Sequence, residues 1–340
     1  MAGSVSAPAC LLNEIAQFRN FAIPYTLRLL FVPMAKPGKL QTFLEYWAAK
    51  SVLSGLGMLP GRAAIATGRA MGGVFYTLAG DLRRTAAINL KLAFPEKSDE
   101  ERTVLVRECF ASLGRLLGLF SQFGTRTREE LRDMIEPSGF EHLDAAKKTY
   151  GNRIILLTAH LGAWELTSFS FSFLGHPMTI PVRRIDNPRI EQLVDRYRTR
   201  FGNTTVDKLA AGRSMLKILR SGDRHIGLLP DLNTLDDEAI FVDFFGVPAA
   251  TNFVIAKLAL RTNAPLMPVF APWSEKEKKY LLIVTPPLVP ESTGDEEADI
   301  RRLTTNLALR IENQIRQYPG QWLWVHKRWK TRPPGEPSIY

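Results

Sequence analysis

From about residue 135 onward, short apolar runs alternate with amphipathic segments, and this alternation limits the folds open to the chain. Each apolar run is about as long as a buried strand, and each amphipathic segment has the three-to-four residue repeat of a helix. Such alternation predicts an α/β fold with a central, mostly parallel or mixed sheet flanked by helices. The predicted strands are Ile154 to Thr158, Met178 to Val182, His225 to Leu229, Leu266 to Phe270 and Tyr280 to Val284. The predicted helices are Arg189 to Phe201, Gly212 to Ser221, Phe253 to Thr262 and Asp299 to Tyr318.

The first third of the chain has a different pattern, which indicates helices separated by Gly and Pro breaks. Ser98 is the expected N-cap of the last of them, because Asp99, Glu100 and Glu101 follow it and complement the helix dipole. We therefore expect a helical, membrane-associating region over residues 1–134 and an α/β region over residues 135–340, as one continuous structural unit. The predicted helices are Leu40 to Leu53, Arg62 to Leu78, Arg83 to Phe94 and Asp99 to Phe123.

The charge of the chain favours an acidic partner. A formal net charge of +10 over 340 residues suits nucleic acid, anionic lipid or an acidic carrier protein, and the charge alone does not choose among them. Cys10 and Cys109 have no paired spacing, so the sequence suggests neither a disulfide scaffold nor a cysteine zinc site. The segment from Phe21 to Met34 is apolar but contains two prolines and an arginine, which favours an interfacial element over a membrane span.

His160 and Glu165 lie five positions apart where the predicted strand Ile154 to Thr158 gives way to a turn and a helix. Because Gly162 supplies backbone freedom in that turn, Glu165 in the first helical turn can reach one imidazole nitrogen. The other nitrogen would then be free to take a proton. An equally supported alternative is a buried polar pair that only fixes the loop.

Two further strand ends carry polar residues. Arg183 and Arg184 follow the strand that ends at Val182 and precede Asn187, and paired arginines can hold a phosphate or a carboxylate through forked hydrogen bonds. The alternative is a solvated loop with local ion pairs, which we favour for an isolated pair of arginines. Asp231 follows the strand that ends at Leu229, and taken alone it is more typical of a turn residue than of a functional one. Ligands bind at the carboxyl ends of strands in open α/β sheets, so three such ends support one another.

The segment 322–332 alternates aromatic and cationic side chains. This pattern suits a lipid headgroup interface or stacking on nucleic acid bases, and a C-terminal strand with a solvated basic face is the alternative. The sequence contains no G-x-S-x-G, P-loop or H-E-x-x-H motif, so it indicates neither a covalent nucleophile nor a metal site.

Six segments occur in a specific order along the chain: 89–96 (NLKLAFPE), 158–165 (TAHLGAWE), Arg183 with 186–188 (DNP), 230–231 (PD), 241–251 (FVDFFGVPAAT) and 324–330 (WVHKRWK). This ordered set resembles the bacterial lipid A late acyltransferases, a family of the lysophospholipid acyltransferase-like superfamily. The resemblance implies a glycerolipid acyltransferase-like fold, in which the α/β region over residues 135–340 is the catalytic region. It also implies an enzyme of lipid A and lipopolysaccharide biosynthesis at the cytoplasmic face of the bacterial inner membrane, attached peripherally or by a weak N-terminal anchor.

The resemblance also implies an activity and roles for the candidate residues. A fatty acyl group would move from an acyl thioester, usually on acyl carrier protein, to a hydroxyl of a glycolipid, without a metal or a redox cofactor. His160 would be the general base, and Glu165 would fix its tautomer. Arg183 would contact a phosphate or the developing oxyanion, and Asp231 would hold Arg183 or shape the acceptor site. Arg184 and Asn187 complete the candidate substrate-binding set.

Three alternatives remain open at this point. A phosphatidylinositol mannoside or other glycolipid acyltransferase that uses acyl-CoA would share the same motifs. A non-catalytic basic protein that binds membrane surfaces or nucleic acid would use the segment 322–332 as its main site. A metal-dependent hydrolase is disfavoured, because no third ligand has suitable spacing from His160 and Glu165.

Overall fold

The computed structural model describes residues 38–208, 211–234 and 239–340, so the predicted segment Phe21 to Met34 lies outside the described residues. Four helices begin the described chain. Ser98 caps the fourth with a reciprocal capping box, in which Ser98 Oγ accepts from Glu101 N and Ser98 N donates to Glu101 Oε2, and this confirms the predicted N-cap. The helices are α1 (Lys39–Met58), α2 (Gly61–Leu78), α3 (Gly80–Ala93) and α4 (Asp99–Gln122).

Helices α2 and α4 pack closely because glycines face each other at their crossing. A Cβ atom added to Gly68 would lie 2.2 Å from the carbonyl oxygen of Gly114, and one added to Gly114 would lie 2.1 Å from that of Gly68. Any larger residue at either position would push the two backbones apart. None of the described helices is long and apolar enough to cross a membrane.

The α/β part begins at Ile135, and its strands and helices alternate as predicted. The predicted strands agree with the observed ones to within one or two residues, and the predicted helices to within three. The strands are β1 (Ile135–Ser138), β2 (Ile155–Leu157), β3 (Met178–Val182), β4 (Thr204–Asp207), β5 (His225–Leu228), β6 (Ala239–Phe244), β7 (Val247–Asn252), β8 (Leu266–Phe270), β9 (Trp273–Ser274) and β10 (Lys279–Val284). The remaining helices are α5 (Arg128–Arg132), α6 (Phe140–Tyr150), α7 (Trp164–Phe173), α8 (Pro188–Thr199), α9 (Ala211–Ser221), α10 (Val254–Thr262) and α11 (Glu296–Gln317).

The central sheet has the strand order β1-β10-β8-β2-β5-β3-β4, with β9 paired to β10. Strands β8, β2, β5, β3 and β4 are parallel to one another, and the antiparallel pairs involve β10. This confirms the predicted mostly parallel α/β fold with a helical N-terminal region. The division into two functional regions at residue 134 stays a prediction.

Strands β6 and β7 form a separate antiparallel hairpin that the sequence analysis did not predict. Its turn requires positive φ at Phe245 (58°) and at Gly246 (75°), and a buried phenylalanine at such a position is unusual. The turn is held because Phe245 N donates to the Glu312 carboxylate on α11 at 2.6 Å. The Phe245 ring also packs against Phe94 and Trp324.

The C-terminal segment is part of the core, and its prediction as a headgroup or base-stacking surface is wrong. Trp322, Trp324 and Trp329 have no solvent exposure, and Arg328 is 1% exposed. The Arg328 guanidinium donates to the Ala250 carbonyl at 2.5 Å and to Thr251 Oγ1 at 2.6 Å, which ties the segment to β7. The tryptophans and Arg328 of this segment therefore pack inward, and of its lysines Lys327 and Lys330 are exposed.

Candidate active site

His160 and Asp231 are brought together by the register of two neighbouring parallel strands. Leu157 of β2 pairs with Leu228 of β5, and the two polar residues each follow three positions later. Both strands end at the same edge of the sheet, so the chain leaves them side by side. Two of the three strand ends singled out from the sequence thus converge in one site.

The two side chains form a buried hydrogen-bonded pair. His160 Nδ1 lies 2.9 Å from Asp231 Oδ1, and Asp231 Oδ2 accepts from His160 N and from Trp322 Nε1, both at 2.7 Å. Burial alone raises the pKa of the Asp231 carboxyl, but the charge of His160 and these hydrogen bonds outweigh it and hold the pKa below its ordinary value. Because an ionised carboxylate only accepts hydrogen bonds, Nδ1 of the neutral imidazole carries the proton.

This arrangement leaves Nε2 of His160 as the imidazole atom that is free to take a proton. Nε2 has no hydrogen-bond partner among the described residues, and His160 lines a pocket. A neutral imidazole with its proton on Nδ1 presents a lone pair at Nε2. The site can therefore accept a proton from a bound group, and Asp231 can stabilise the imidazolium that results.

Glu165 does not contact the imidazole, which corrects the predicted hydrogen bond between Glu165 and His160. Glu165 lies in the first turn of α7 as expected, but its carboxylate is bound by Arg198 of α8, with Nε at 3.1 Å from Oε2 and a terminal nitrogen at 2.5 Å from Oε1. Asp231 makes the contact with His160 Nδ1 that was expected of Glu165. Asp231 forms no hydrogen bond or ion pair with Arg183, which was one of the two roles expected of it.

Arg198 is a site residue that the sequence analysis missed. It is buried, and it lines the same pocket as His160 and Glu165. Burial lowers the pKa of the Arg198 guanidinium, but the Glu165 carboxylate more than compensates and raises it above its ordinary value. A sequence signal was present, because Arg198 follows Ile190 and Val194 at four-residue steps on the buried face of α8.

The pocket beside His160 is apolar over most of its wall. It encloses about 630 Å³ of empty space, its open mouth included, between the sheet and α7. His160, Glu165 and Arg198 are its charged or titratable residues. Its other lining residues are Leu156, Leu157, Thr158, Trp164, Thr167, Ser168, Phe171, Met178, Ile180, Pro181, Val182, Gly227, Leu228, Leu229 and Val269.

The predicted binding residues after β3 have other partners. Arg184 forms ion pairs with Glu191 (2.8 Å) and Asp195 (3.7 Å), which is the local pairing weighed as the alternative. Asn187 is buried, and its Oδ1 accepts from the backbone at the start of α8. Asn187 Nδ2 donates to the Thr42 carbonyl of α1 at 2.8 Å. The prediction that Arg184 and Asn187 bind substrate is therefore not supported by their contacts.

Arg183 remains exposed at the edge of the sheet where His160 lies, and no hydrogen bond or ion pair joins it to another residue in the described ranges. Arg183 directly follows β3, and because β3 is parallel to β5, both strands end at the same edge of the sheet. A binding role for Arg183 stays a prediction.

The C-terminal segment supports the His160–Asp231 pair from behind. Leu323 N donates to the His160 carbonyl at 3.0 Å, in addition to the Trp322 indole bond to Asp231. His326 Nε2 accepts from Asn233 N at 3.1 Å, two residues beyond Asp231. Burial, and then the nearby His160, lower the pKa of His326 to about 3, so this histidine is neutral. The segment therefore positions the loop that carries Asp231.

No group of three or more His, Cys, Asp or Glu side chains suited to a metal ion occurs in the described part of the chain. Cys109 is buried in α4, and burial raises the pKa of its thiol to about 12, so it does not supply a thiolate at neutral pH.

A hydrogen-bonded histidine–aspartate pair at adjacent strand ends, beside a mostly apolar pocket, is an arrangement with which an α/β enzyme can take up a proton next to an apolar group. The sequence profile of the bacterial lipid A biosynthesis acyltransferases matches residues 36–331. The protein belongs to this family, and it is an acyltransferase.

Individual relatives agree with the family profile over most of their length. The chain is 30% identical over 264 residues to the lipid A biosynthesis lauroyltransferase of Escherichia coli K12, which covers 76% of this chain and 83% of the relative. It is 25% identical over 295 residues to the lipid A biosynthesis myristoyltransferase of the same strain, covering 86% and 89%. A lipid A biosynthesis acyltransferase of Haemophilus influenzae is 27% identical over 301 residues, covering 87% and 93%.

Proposed function

We propose that the protein transfers a fatty acyl group from an acyl thioester, carried by acyl carrier protein, to a hydroxyl of a lipid A precursor. The observation that carries this proposal is the unpartnered Nε2 of His160 beside an apolar pocket, with Nδ1 bonded to Asp231. The acceptor follows from the names of the relatives, which are lipid A biosynthesis acyltransferases.

The acyl chain would occupy the apolar pocket. Its wall is supplied mainly by aliphatic and aromatic side chains, which suit a hydrocarbon chain. A chain held there places its thioester carbonyl near the polar end of the pocket, where His160 lies. The acceptor hydroxyl would approach from the open side.

Nε2 of His160 would take the proton as the acceptor oxygen attacks the thioester carbonyl. A C–O bond forms, the C–S bond breaks as the tetrahedral intermediate collapses, and the imidazolium returns its proton to the leaving thiolate. Asp231 stabilises the imidazolium through Nδ1, as in other histidine bases oriented by a carboxylate. Since a thiolate leaves readily, the reaction does not require an acyl-enzyme intermediate.

Glu165 and Arg198 would act as a positioning pair in this scheme. The carboxylate fixes the guanidinium in the pocket wall next to the reacting groups, where it keeps a positive charge in place. Arg183, exposed at the same edge of the sheet, is a candidate contact for a phosphate of the acceptor. The net charge of +10 suits both an acidic carrier protein and an anionic membrane, and we propose peripheral attachment at the cytoplasmic face of the inner membrane.

The test is an acyl-transfer assay on purified protein with acyl-loaded carrier protein and a lipid A precursor, read by mass spectrometry. His160→Ala is expected to lower kcat by about 10²–10⁴, the usual contribution of a general base. Acyl-CoA with phosphatidylinositol mannoside is assayed in parallel. Transfer only in that arm would identify acyl-CoA as the donor and phosphatidylinositol mannoside as the acceptor. Full activity of His160→Ala in every arm would refute the mechanism.

A further inference from the structure

Helix α1 presents an apolar face to solvent over its first half. Leu40, Phe43, Leu44 and Trp47 are 70%, 45%, 57% and 45% exposed, and they recur at the three- and four-residue steps that share one side of a helix. From Leu40 to Met58 no exposed position of α1 has a charged side chain. A helix that faces water normally places its charged residues on that side, so this face is built for an apolar neighbour.

Cations surround this face. Lys50 Nζ lies 4.8 Å from the centroid of the Trp47 ring, and the Arg189 guanidinium lies 5.7 Å from that of Phe43. Residues 38–78, which form α1 and α2, contain Lys39, Lys50, Arg62 and Arg69 against Glu45 alone, four positive charges against one negative. Indole and phenyl rings beside Lys and Arg are the combination that sits at a phospholipid headgroup boundary.

We propose that the exposed face of α1 docks onto the surface of an anionic phospholipid bilayer. Leu40, Phe43, Leu44 and Trp47 enter the boundary between headgroups and acyl chains, and the surrounding cations meet lipid phosphates. This surface rests on the proposed peripheral attachment and names the face that makes it, and it does not depend on the identity of the donor or the acceptor.

Docking there would orient the candidate active site toward the lipid. Asn187 ties α1 to the loop after β3, since its Nδ2 donates to Thr42 O and to Glu45 Oε2. That loop begins at Val182, which lines the pocket beside His160. The pocket wall and the docking face are therefore connected through one short loop, which keeps the site close to the membrane surface.

The full chain contains its own probe for this contact. All six tryptophans are described, and Trp47 is 45% exposed while the other five are at most 8% exposed. Vesicles of phosphatidylglycerol and phosphatidylethanolamine with brominated acyl chains are expected to quench a part of the fluorescence that Trp47→Phe lacks. Trp47→Phe keeps an aromatic side chain at this position, so it should still bind the vesicles.

Affinity for the same vesicles, unbrominated, is measured by sedimentation of the full chain and two matched variants. Leu44→Glu is expected to lower the partition coefficient by about tenfold or more, because it removes an inserted side chain and adds a charge that anionic lipid repels. Leu309→Glu on α11 changes an equally apolar residue, 51% exposed, and is expected to bind like the wild type. Replacing phosphatidylglycerol by phosphatidylcholine should weaken binding of the wild type.

The proposal is overturned if brominated lipids quench the wild type no more than Trp47→Phe, which would mean that residues 1–37 or a second copy cover this face. Equal loss of binding in Leu44→Glu and Leu309→Glu would overturn it as well. Both readouts are independent of acyl transfer, so an inactive protein can still pass them and an active one can fail.

Discussion

Asp231→Asn tests which carboxylate orients His160. In the wild type, Oδ2 accepts from His160 N and Trp322 Nε1, so the side-chain oxygen of an asparagine must take that place. Its NH₂ group then faces His160 Nδ1, 2.9 Å away in the wild type, and Nδ1 must become an acceptor. The imidazole proton moves to Nε2, where it blocks proton uptake from the acceptor hydroxyl.

The magnitude follows from what the substitution removes. A general base contributes about 10²–10⁴ in rate, which corresponds to about 3–5.5 kcal/mol of transition-state stabilisation. Asp231→Asn places the base in the wrong tautomer and also removes the charge that stabilises the imidazolium, so we expect a fall in kcat within that range. KM should change less, because Asp231 does not line the pocket.

The assay is steady-state acyl transfer, with circular dichroism to confirm that the variant is folded. Asp299→Asn is the matched control, since Asp299 is 1% exposed and accepts two hydrogen bonds from Thr293, away from the pocket. We expect this control to retain wild-type kcat. If Asp231→Asn keeps more than half of the wild-type kcat while Glu165→Gln abolishes it, Glu165 is the orienting carboxylate after all and the argument fails.

Three other substitutions test separate parts of the structure. Glu165→Gln should lower the melting temperature, because it leaves the buried Arg198 charge unpaired at a cost of about 3–5 kcal/mol. The pH profile of kcat for this variant should match that of the wild type, and a shifted profile would contradict the positioning role. Gly227→Val should shift preference toward shorter acyl chains in a mixed-donor competition, since even a Cβ there lies 2.6 Å from Met178 Sδ; an unchanged product distribution would place the acyl chain elsewhere. Burial, with His176 next in effect, lowers the pKa of His225 to about 4. Between pH 6.5 and 4 only the unfolded chain therefore takes up this proton, so the free energy of unfolding should fall by roughly 3 kcal/mol as the pH is lowered through that window. Urea denaturation of His225→Phe should show a smaller fall.

The fold was predictable from the sequence where local pattern decides it. Periodicity and breaks placed the main helices and the strands β2, β3, β5, β8 and β10, and Ser98 with its acidic neighbours predicted the start of α4. The β6–β7 hairpin escaped because Phe245 adopts positive φ at its turn, a conformation held by Glu312 from the distant α11. No local pattern reports a contact across 67 residues.

The members of the site were mostly predictable, but their partnerships were not. His160 and Asp231 both follow strands, and the general tendency of strand ends to form sites brought both into consideration. Their contact depends on β2 and β5 being neighbours in the sheet, and the order of strands is set by packing of the whole domain. The five-residue spacing of His160 and Glu165 therefore suggested a direct pair that the structure does not contain.

The environment of the aromatic and basic segment at the C-terminus was also not predictable from its local pattern. Rings beside cations occur both at a lipid boundary and in a core where buried donors find backbone acceptors, and only the three-dimensional environment separates the two. Trp322 and Arg328 are buried with every ring or guanidinium contact made inside the protein, whereas Trp47 and Lys50 show the same chemistry on an exposed helix. Trp47, which is exposed and has the half-buried Lys50 beside its ring, is therefore the stronger candidate for a lipid contact.

The segment from His160 to Glu165 places two side chains with different hydrogen-bond partners at one turn. His160 follows β2 and is held by Asp231, while Glu165 lies in the first turn of α7 and holds Arg198 on α8. Because α7 starts at Trp164, a change in the length of this turn would move the proton acceptor and the buried cation relative to each other. The short spacing thus has a physical reason that needs no contact between the two residues. It sets the distance between the proton-accepting nitrogen and a positive charge in the wall of the same pocket.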